Sequence, residues 1–116
     1  VRLVYLCTPN NPTGNELAEA DVLGVLEACA GRALVVVDEA YAEFGGHPGY
    51  ARRLADFPHL VVLRTLSKAQ GLAGARVGSL LASPAIVALL RKIIPPYAMA
   101  QPTVEAALKA LQAPAQ

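Results

Sequence analysis

Residues 33 to 41 read ALVVVDEAY, a short run of mostly β-branched apolar residues that ends in two carboxylates and a phenol. Apolar runs of this length, rich in β-branched residues, are typical of buried strands. Leu34 to Val37 are therefore predicted to form a strand inside a sheet. Asp38 then lies at the carboxyl end of that strand, where α/β proteins usually place their binding sites.

Three more runs of this kind predict strands at Val1 to Cys7, Leu60 to Leu63 and Val77 to Ala82. Between the first strand and Leu34, apolar residues recur at helical spacing from Leu17 to Cys29, with acidic residues near the start. A strand, a helix and a strand in succession form a βαβ unit, whose crossover makes the two strands parallel.

The expected fold class is α/β, with three layers (helix, sheet, helix) and a mostly parallel sheet that has one antiparallel strand. The fourth strand is predicted to be the antiparallel one, because only a short loop joins it to the third. Pro84 fits the first turn of a helix that continues to Pro95, and another helix begins around Pro102. With so few helices, part of the sheet surface and an open edge near Val4 are expected to stay bare.

The composition argues against several kinds of partner. A formal net charge of +1 provides no electrostatic footprint for nucleic acid or an anionic membrane surface. No apolar run approaches the roughly 20 residues that a membrane helix needs, so a soluble, cytosolic protein is expected. The chain is 54% hydrophobic and opens at Val1 inside an apolar run, which favours a partial domain, residues 1 to 116, of a longer protein.

Polar clusters follow three of the predicted strands: TPNNPTG at 8 to 14, DEAY at 38 to 41, and TLSK at 65 to 68 with GLAGAR at 71 to 76. The first cluster also fits a plain turn, since Asn, Pro and Gly are the usual turn residues. Asp38 also fits a helix cap or a salt bridge to an arginine, because a carboxylate at the end of a buried strand needs a partner.

Lys68 indicates a particular chemistry, although taken alone it also fits a surface lysine. Lysine is the natural amine for forming an imine with an aldehyde. Thr65, Ser67 and Arg76 flank it, and the glycines nearby let the backbone come close, a combination that suits a bound phosphate. Pyridoxal phosphate carries both an aldehyde and a phosphate.

The segments TPNNPTG, DEAYAEF and RTLSKAQGLAGARVG, in this order and with these separations, resemble the class I and II aminotransferases of pyridoxal-phosphate fold type I. Among them the histidinol-phosphate aminotransferases are most similar, and the resemblance covers essentially the whole chain. It implies pyridoxal 5'-phosphate as cofactor and a homodimeric full-length enzyme of histidine biosynthesis. The implied substrates are a small-molecule amino donor, histidinol phosphate, and a 2-oxo acid acceptor, 2-oxoglutarate.

The resemblance also implies a role for each matching residue. Lys68 would hold the cofactor as a Schiff base and then move a proton as general base and acid. Asp38 would keep the pyridine nitrogen protonated, so that the ring can accept electrons. Asn11 and Tyr41 would hydrogen-bond the 3-oxygen of the ring. The phosphate would be held by the remaining matches, which are Thr65, Ser67 and Arg76.

Some of the family's pattern is missing from the segment. Gln70 and Ala75 stand where relatives more often have a bulky aromatic and a leucine. The family's ring-stacking aromatic, an upstream phosphate-binding turn and the arginine for the substrate carboxylate have no counterpart. Since such groups decide the reaction, several alternatives stay open: an aromatic aminotransferase, a lyase or phospho-amino-acid decarboxylase of the same fold, or a noncatalytic module that retains the fold.

The other motifs predict no further chemistry. GLAGAR lacks the glycine spacing of a dinucleotide loop, and the sequence contains no GxxxxGK[ST] stretch for a P-loop. A hydrolase dyad of Ser67 and Lys68 is disfavoured, because neighbours on a strand-like segment point in opposite directions. Cys7 and Cys29 are expected to be buried free thiols without a metal or disulfide, and His47 and His59 to be surface or loop residues.

Overall fold

The four predicted strands form one sheet whose spatial order follows the chain. A computed structural model describes residues 2 to 112, so Val1, the predicted first residue of the first strand, lies outside the described residues. The strands are β1 (Leu3–Cys7), β2 (Leu34–Asp38), β3 (Leu60–Thr65) and β4 (Gly78–Ala82). Both β1 and β3 pair with β2 in parallel, and β4 pairs with β3 antiparallel, which confirms the predicted mixed sheet.

Three α-helices accompany the sheet: α1 (Glu19–Cys29), α2 (Pro84–Arg91) and α3 (Gln101–Gln112). Helix α1 is the crossover between β1 and β2. Short 3-10 turns lie at Ala42–Phe44, Ala51–Arg53 and Ala73–Ala75. Among residues 2 to 112, no helix is both long and apolar enough to cross a bilayer.

Helix α2 ends earlier than predicted. It stops at Arg91, and the next two N–H groups bond to carbonyls three residues back, Lys92 to Leu89 and Ile93 to Leu90. The chain therefore tightens into a 3-10 turn before Pro95. The α conformation is disfavoured for a residue that precedes proline, so the helix cannot continue to it.

The core lies between α1 and one face of the sheet. Because strand side chains alternate, Val35 and Val37 both face α1, where they meet Val22 and Leu26. Each fully buried aliphatic side chain of this kind contributes about 1.5 to 3 kcal/mol through its removal from water. The cluster is completed by Tyr50, Leu60 and Val62. This packing holds the crossover and fixes which face of β2 points inward.

The opposite face of the sheet is only partly covered by the described residues. Val36 and Val61, at its centre, are buried, whereas Leu3, Tyr5 and Leu34 are 45%, 66% and 36% exposed. Strand β1 forms one edge of the sheet. The bare apolar surface predicted near the first strand is thus confirmed for the described part of the chain.

This bare face is expected to make the isolated polypeptide of residues 1 to 116 self-associate, because a large exposed apolar patch beside an unpaired strand edge favours association. Replacing Tyr5 with lysine should shift sedimentation equilibrium toward the monomer. Tyr97→Lys is the matched control, since Tyr97 is 99% exposed and lies outside the strands. A stable monomer of the unaltered polypeptide at high concentration, or equal behaviour of the two variants, would contradict this expectation.

Candidate functional site

The parallel pairing brings the predicted polar clusters to one edge of the sheet. Cys7, the last residue of β1, pairs with Asp38, which in turn pairs with Leu63, two residues before the end of β3. The N–H of Thr8 donates to the carbonyl oxygen of Asp38 at 3.0 Å, which continues the ladder past the strand ends. The loops after β1, β2 and β3 therefore start side by side.

Asp38 is half-buried, and its side chain is only partly engaged. One carboxylate oxygen accepts the N–H of Ala40 at 3.0 Å, a local turn contact. Among residues 2 to 112, no cationic side chain lies within ion-pair distance of this carboxylate. Neither structural explanation for Asp38 holds among residues 2 to 112: the following 3-10 turn is capped at Tyr41 without a side-chain bond, and the salt bridge to an arginine belongs to the next residue, Glu39.

A contact between Lys68 and Tyr41 links the TLSK cluster to the DEAY cluster. The exposed Lys68 ammonium lies over the Tyr41 ring, with its Nζ 5.1 Å from the ring centroid. A cation at this distance is attracted by the negative face of the ring. The loop after β3 thereby places a primary amine against the segment that begins with Asp38.

Thr65 and Ser67 shape the turn that carries Lys68. The hydroxyl of Thr65 donates to the Val77 carbonyl at 3.3 Å and accepts the N–H of Ser67 at 3.1 Å. Ser67 and Lys68 lie in bends beyond β3 rather than on the predicted strand-like segment, so strand alternation does not separate them. The evidence against a Ser67–Lys68 dyad is instead that the Lys68 ammonium lies over the Tyr41 ring.

Asn11 and Arg76 lie on the neighbouring loops. Asn11 is exposed at the tip of a turn stiffened by the bond from Asn10 Nδ2 to Thr13 Oγ1, at 2.6 Å. Arg76 has a left-handed backbone, with φ of 55°, and its guanidinium donates to the Ala73 carbonyl of its own loop. Within the described chain, no hydrogen bond or ion pair links either side chain to the other predicted site residues.

A buried ion pair lies directly behind the site, and the sequence patterns did not reveal it. Glu39 is only 2% exposed, and its Oε2 accepts a hydrogen bond from Arg64 Nε at 2.6 Å. Its other oxygen accepts the N–H of Tyr50, also at 2.6 Å. The available signal was a second carboxylate after β2 and a lone arginine within the apolar run of β3.

The two histidines and Glu19 have structural partners. His59 donates from Nε2 to the Leu26 carbonyl at 2.9 Å, and His47 Nδ1 accepts the N–H of Gly49 at 3.0 Å. A hydrogen bond from Arg53 holds the pKa of Glu19 below its ordinary value. Burial raises the pKa of Tyr50. Cys7 and Cys29 carry free thiols but are half-buried rather than buried as predicted, because neither belongs to the fully buried cluster between α1 and the sheet.

The mixed sheet, with a lysine, a carboxylate and a phenol at its carboxyl edge, defines an α/β protein equipped to bind a ligand through its strand-end loops. A family model described as "Aminotransferase class I and II" matches residues 1 to 116. The chain belongs to that family.

Individual relatives agree with the family match. The histidinol-phosphate aminotransferase of Pectobacterium atrosepticum is 52% identical over 110 residues, which are 95% of this chain and 31% of that protein. The crystal structure of histidinol-phosphate aminotransferase from Sinorhizobium meliloti in complex with pyridoxal-5'-phosphate has a TM-score of 0.86 at 38% identity, covering 94% of this chain and 30% of that one. The chain thus spans about a third of the length of the curated relatives it matches.

The solved structure of a protein with a different kind of activity is equally similar in shape. The L-threonine-O-3-phosphate decarboxylase from Porphyromonas gingivalis has a TM-score of 0.86 at 26% identity, over 95% of this chain and 34% of that one. The backbone that carries the candidate site is therefore shared by proteins of more than one reaction type.

Gly49→Ala should destabilise the protein by about 1 to 3 kcal/mol, because Gly49 has a left-handed φ of 88° and an added Cβ would collide with the Arg64 guanidinium beside Glu39. Gly24→Ala is the control: Gly24 lies within α1, has no neighbour in reach of a Cβ, and should gain about 0.5 to 1 kcal/mol. Urea unfolding measures both. Equal effects would show that the space at Gly49 is not needed.

Proposed function

We propose that the full-length protein containing this chain is a pyridoxal-phosphate-dependent aminotransferase that transfers the amino group of histidinol phosphate to 2-oxoglutarate, as a cytoplasmic homodimer. The observation that carries the proposal is the position of the Lys68 ammonium over Tyr41, on the segment that follows Asp38. The family match and the histidinol-phosphate aminotransferases among the relatives support it.

The donor set fits pyridoxal phosphate. Lys68 offers an exposed amine for an aldehyde, and the Asp38 carboxylate has one oxygen that accepts no hydrogen bond from the described residues. A half-buried carboxylate without a cationic partner suits a protonated ring nitrogen. Hydroxyl, backbone and guanidinium donors for a phosphate lie on the loop from Thr65 to Arg76.

The chain's own residues then have distinct tasks. When bound, pyridoxal phosphate supplies an electron sink for the substrate carbanion. Asp38 would keep the proton on the ring nitrogen, and Tyr41 and Asn11 would orient the ring through its 3-oxygen. The amine of Lys68 would take a proton from the α-carbon of the amino donor as general base and give it back as general acid. The phosphate is held by the loop residues Thr65, Ser67 and Arg76.

Arg76 has to change its contacts to take part. Its Nη1 donates to the Ala73 carbonyl at 3.1 Å, and the side chain is exposed. A guanidinium bonded to a neutral carbonyl is held less strongly than one paired with an anionic phosphate, so exchanging the carbonyl for a phosphate is favourable. The left-handed backbone at Arg76 places this side chain at the sharp turn before β4.

A decarboxylase of the same fold is the second candidate, favoured by the structural match to the L-threonine-O-3-phosphate decarboxylase. Product analysis separates the two: an aminotransferase yields glutamate from 2-oxoglutarate, whereas a decarboxylase releases carbon dioxide. A colourless full-length protein that takes up no pyridoxal phosphate would instead indicate a noncatalytic module.

Lys68→Ala in the full-length protein should abolish the visible absorbance of the lysine-bound cofactor and nearly all transamination, since no other group replaces the amine. Lys92→Ala is the matched control, because Lys92 is an exposed lysine at the end of α2. Absorbance and borohydride reduction followed by peptide mapping measure the linkage. A reducible linkage that persists in the Lys68 variant would assign the role to another lysine.

Asp38→Asn should still bind the cofactor but slow transamination about tenfold to a hundredfold, because a charge-assisted hydrogen bond contributes roughly 1.5 to 3 kcal/mol. Asp21→Asn, at an exposed position in α1, should leave the rate unchanged. Single-turnover rates with histidinol phosphate measure the difference. Full activity in the Asp38 variant would remove this carboxylate from the mechanism.

A further inference from the structure

Arg64 lies on the face of the sheet opposite the candidate site. Side chains alternate along β3, so Arg64 points toward the α1 face, whereas Leu63 and Thr65 point to the face that carries Asp38. A ligand beside Asp38 is therefore out of reach of the Arg64 guanidinium. Any effect of Arg64 on the site has to pass through other residues.

The Arg64 guanidinium holds two carboxylates of the segment that follows β2. Its Nε lies 2.6 Å from Glu39 Oε2, and its Nη1 lies 3.5 Å from Glu43 Oε1. Glu39 directly follows Asp38, and Glu43 lies two residues beyond Tyr41. A planar guanidinium with several fixed donors suits two partners at once, which a lysine ammonium does less well. Arg64 thus holds both ends of the short segment that contains Tyr41.

Glu39, the buried partner of Arg64, is anchored in the core. Glu39 is 2% exposed, and both of its oxygens are engaged, one by Arg64 and the other by the N–H of Tyr50. Tyr50 is itself 2% exposed. A buried carboxylate that lost its partner would be strongly unfavourable, so the pair has little freedom to open.

We propose that the Glu39, Arg64 and Glu43 side chains form a clamp that positions Asp38 and Tyr41 relative to Lys68. Arg64 precedes Thr65, at the start of the loop that carries Lys68, so the clamp ties this loop to the segment after β2. The inference rests on the proposed function. All three members are positioning residues, because they act through the side chains on the other face.

The test uses full-length protein loaded with pyridoxal phosphate and the variant Arg64→Lys. Arg53→Lys is the matched control, since Arg53 also pairs with a glutamate, Glu19, and is 35% exposed compared with 29% for Arg64. With the clamp loosened, the pH midpoint of the visible absorbance should move by about half a unit or more, because groups around the lysine-bound cofactor set its proton affinity. The control should keep the midpoint of the unaltered protein.

Kinetics provide a second readout. In Arg64→Lys, kcat should fall about tenfold to a hundredfold, the range expected when reacting groups are displaced by a fraction of an ångström to an ångström. KM should change much less, because the clamp does not touch the substrate. A change in KM alone, or an unchanged midpoint and kcat, would overturn the proposal.

Three further variants separate positioning from stability. The double variant Glu39→Gln with Arg64→Met leaves no buried charge unpaired, so its melting temperature should recover relative to Arg64→Met alone while the shifted midpoint persists. Recovery of both would overturn the proposal. Glu43→Gln loosens only the outer contact and should shift the midpoint in the same direction by a smaller amount. If the other variants do not fold, this variant decides, and an unchanged midpoint overturns the proposal.

The same measurements distinguish a failure of the clamp from a failure of the proposed function. An unaltered full-length protein that binds no pyridoxal phosphate would overturn the proposed function, and the clamp inference with it. Normal cofactor binding and transamination in the unaltered protein, with identical spectra for Arg64→Lys and Arg53→Lys, would overturn the clamp alone.

Discussion

Parallel strands in a βαβ unit have to end at the same edge of the sheet, and the site depends on this constraint. It places the loop after β1 beside the start of DEAY, and DEAY beside the loop that carries Lys68. The register within that arrangement is set by the core: Val35 and Val37 face α1, so Asp38 cannot face it as well. A slip of one residue would exchange the faces of Asp38 and Glu39.

The two adjacent carboxylates consequently have opposite surroundings. Glu39 points to the α1 side, where the N–H of Tyr50 and the guanidinium of Arg64 engage both of its oxygens. Asp38 points to the other side and receives only a local N–H bond within the described chain. A carboxylate whose two oxygens both accept hydrogen bonds has a structural role. A carboxylate at a strand end with one unbonded oxygen is available to a ligand. Because side chains alternate along a strand, the adjacent carboxylates of Asp38 and Glu39 have different roles.

The sequence predicted the elements that depend on local pattern. The strand runs, the helix between the first two strands and the antiparallel fourth strand follow from hydrophobic period and loop length, and all are present. The pair of Glu39 and Arg64 did not follow, because these residues are 25 positions apart and meet only through the β2 and β3 register. The end of α2 was placed too late, since the tightening before Pro95 depends on competing local hydrogen bonds.

For the site residues too, the sequence predicted only part of the arrangement. The parallel pairing brings the loops of Asp38 and Lys68 together at the ends of the strands, where Lys68 contacts Tyr41. Side-chain directions in the outer loops are not determined by spacing: Arg76 bonds to its own turn, and Asn11 points into solvent. The directions of such exposed side chains depend on local contacts that spacing does not determine, so a sequence pattern can name these residues but cannot place their side chains.

The backbone of this chain does not by itself select a reaction. An aminotransferase and a decarboxylase share this backbone with equal TM-scores, so the sheet edge that holds Asp38 and Lys68 is compatible with both. The face that carries Asp38 is also the one on which Leu3, Tyr5 and Leu34 are left exposed. A proton transfer at a substrate carbon needs water kept out and the breaking bond held in one orientation. Groups that cover this face would meet both needs, and their arrangement, rather than that of the strand ends, would select which bond breaks.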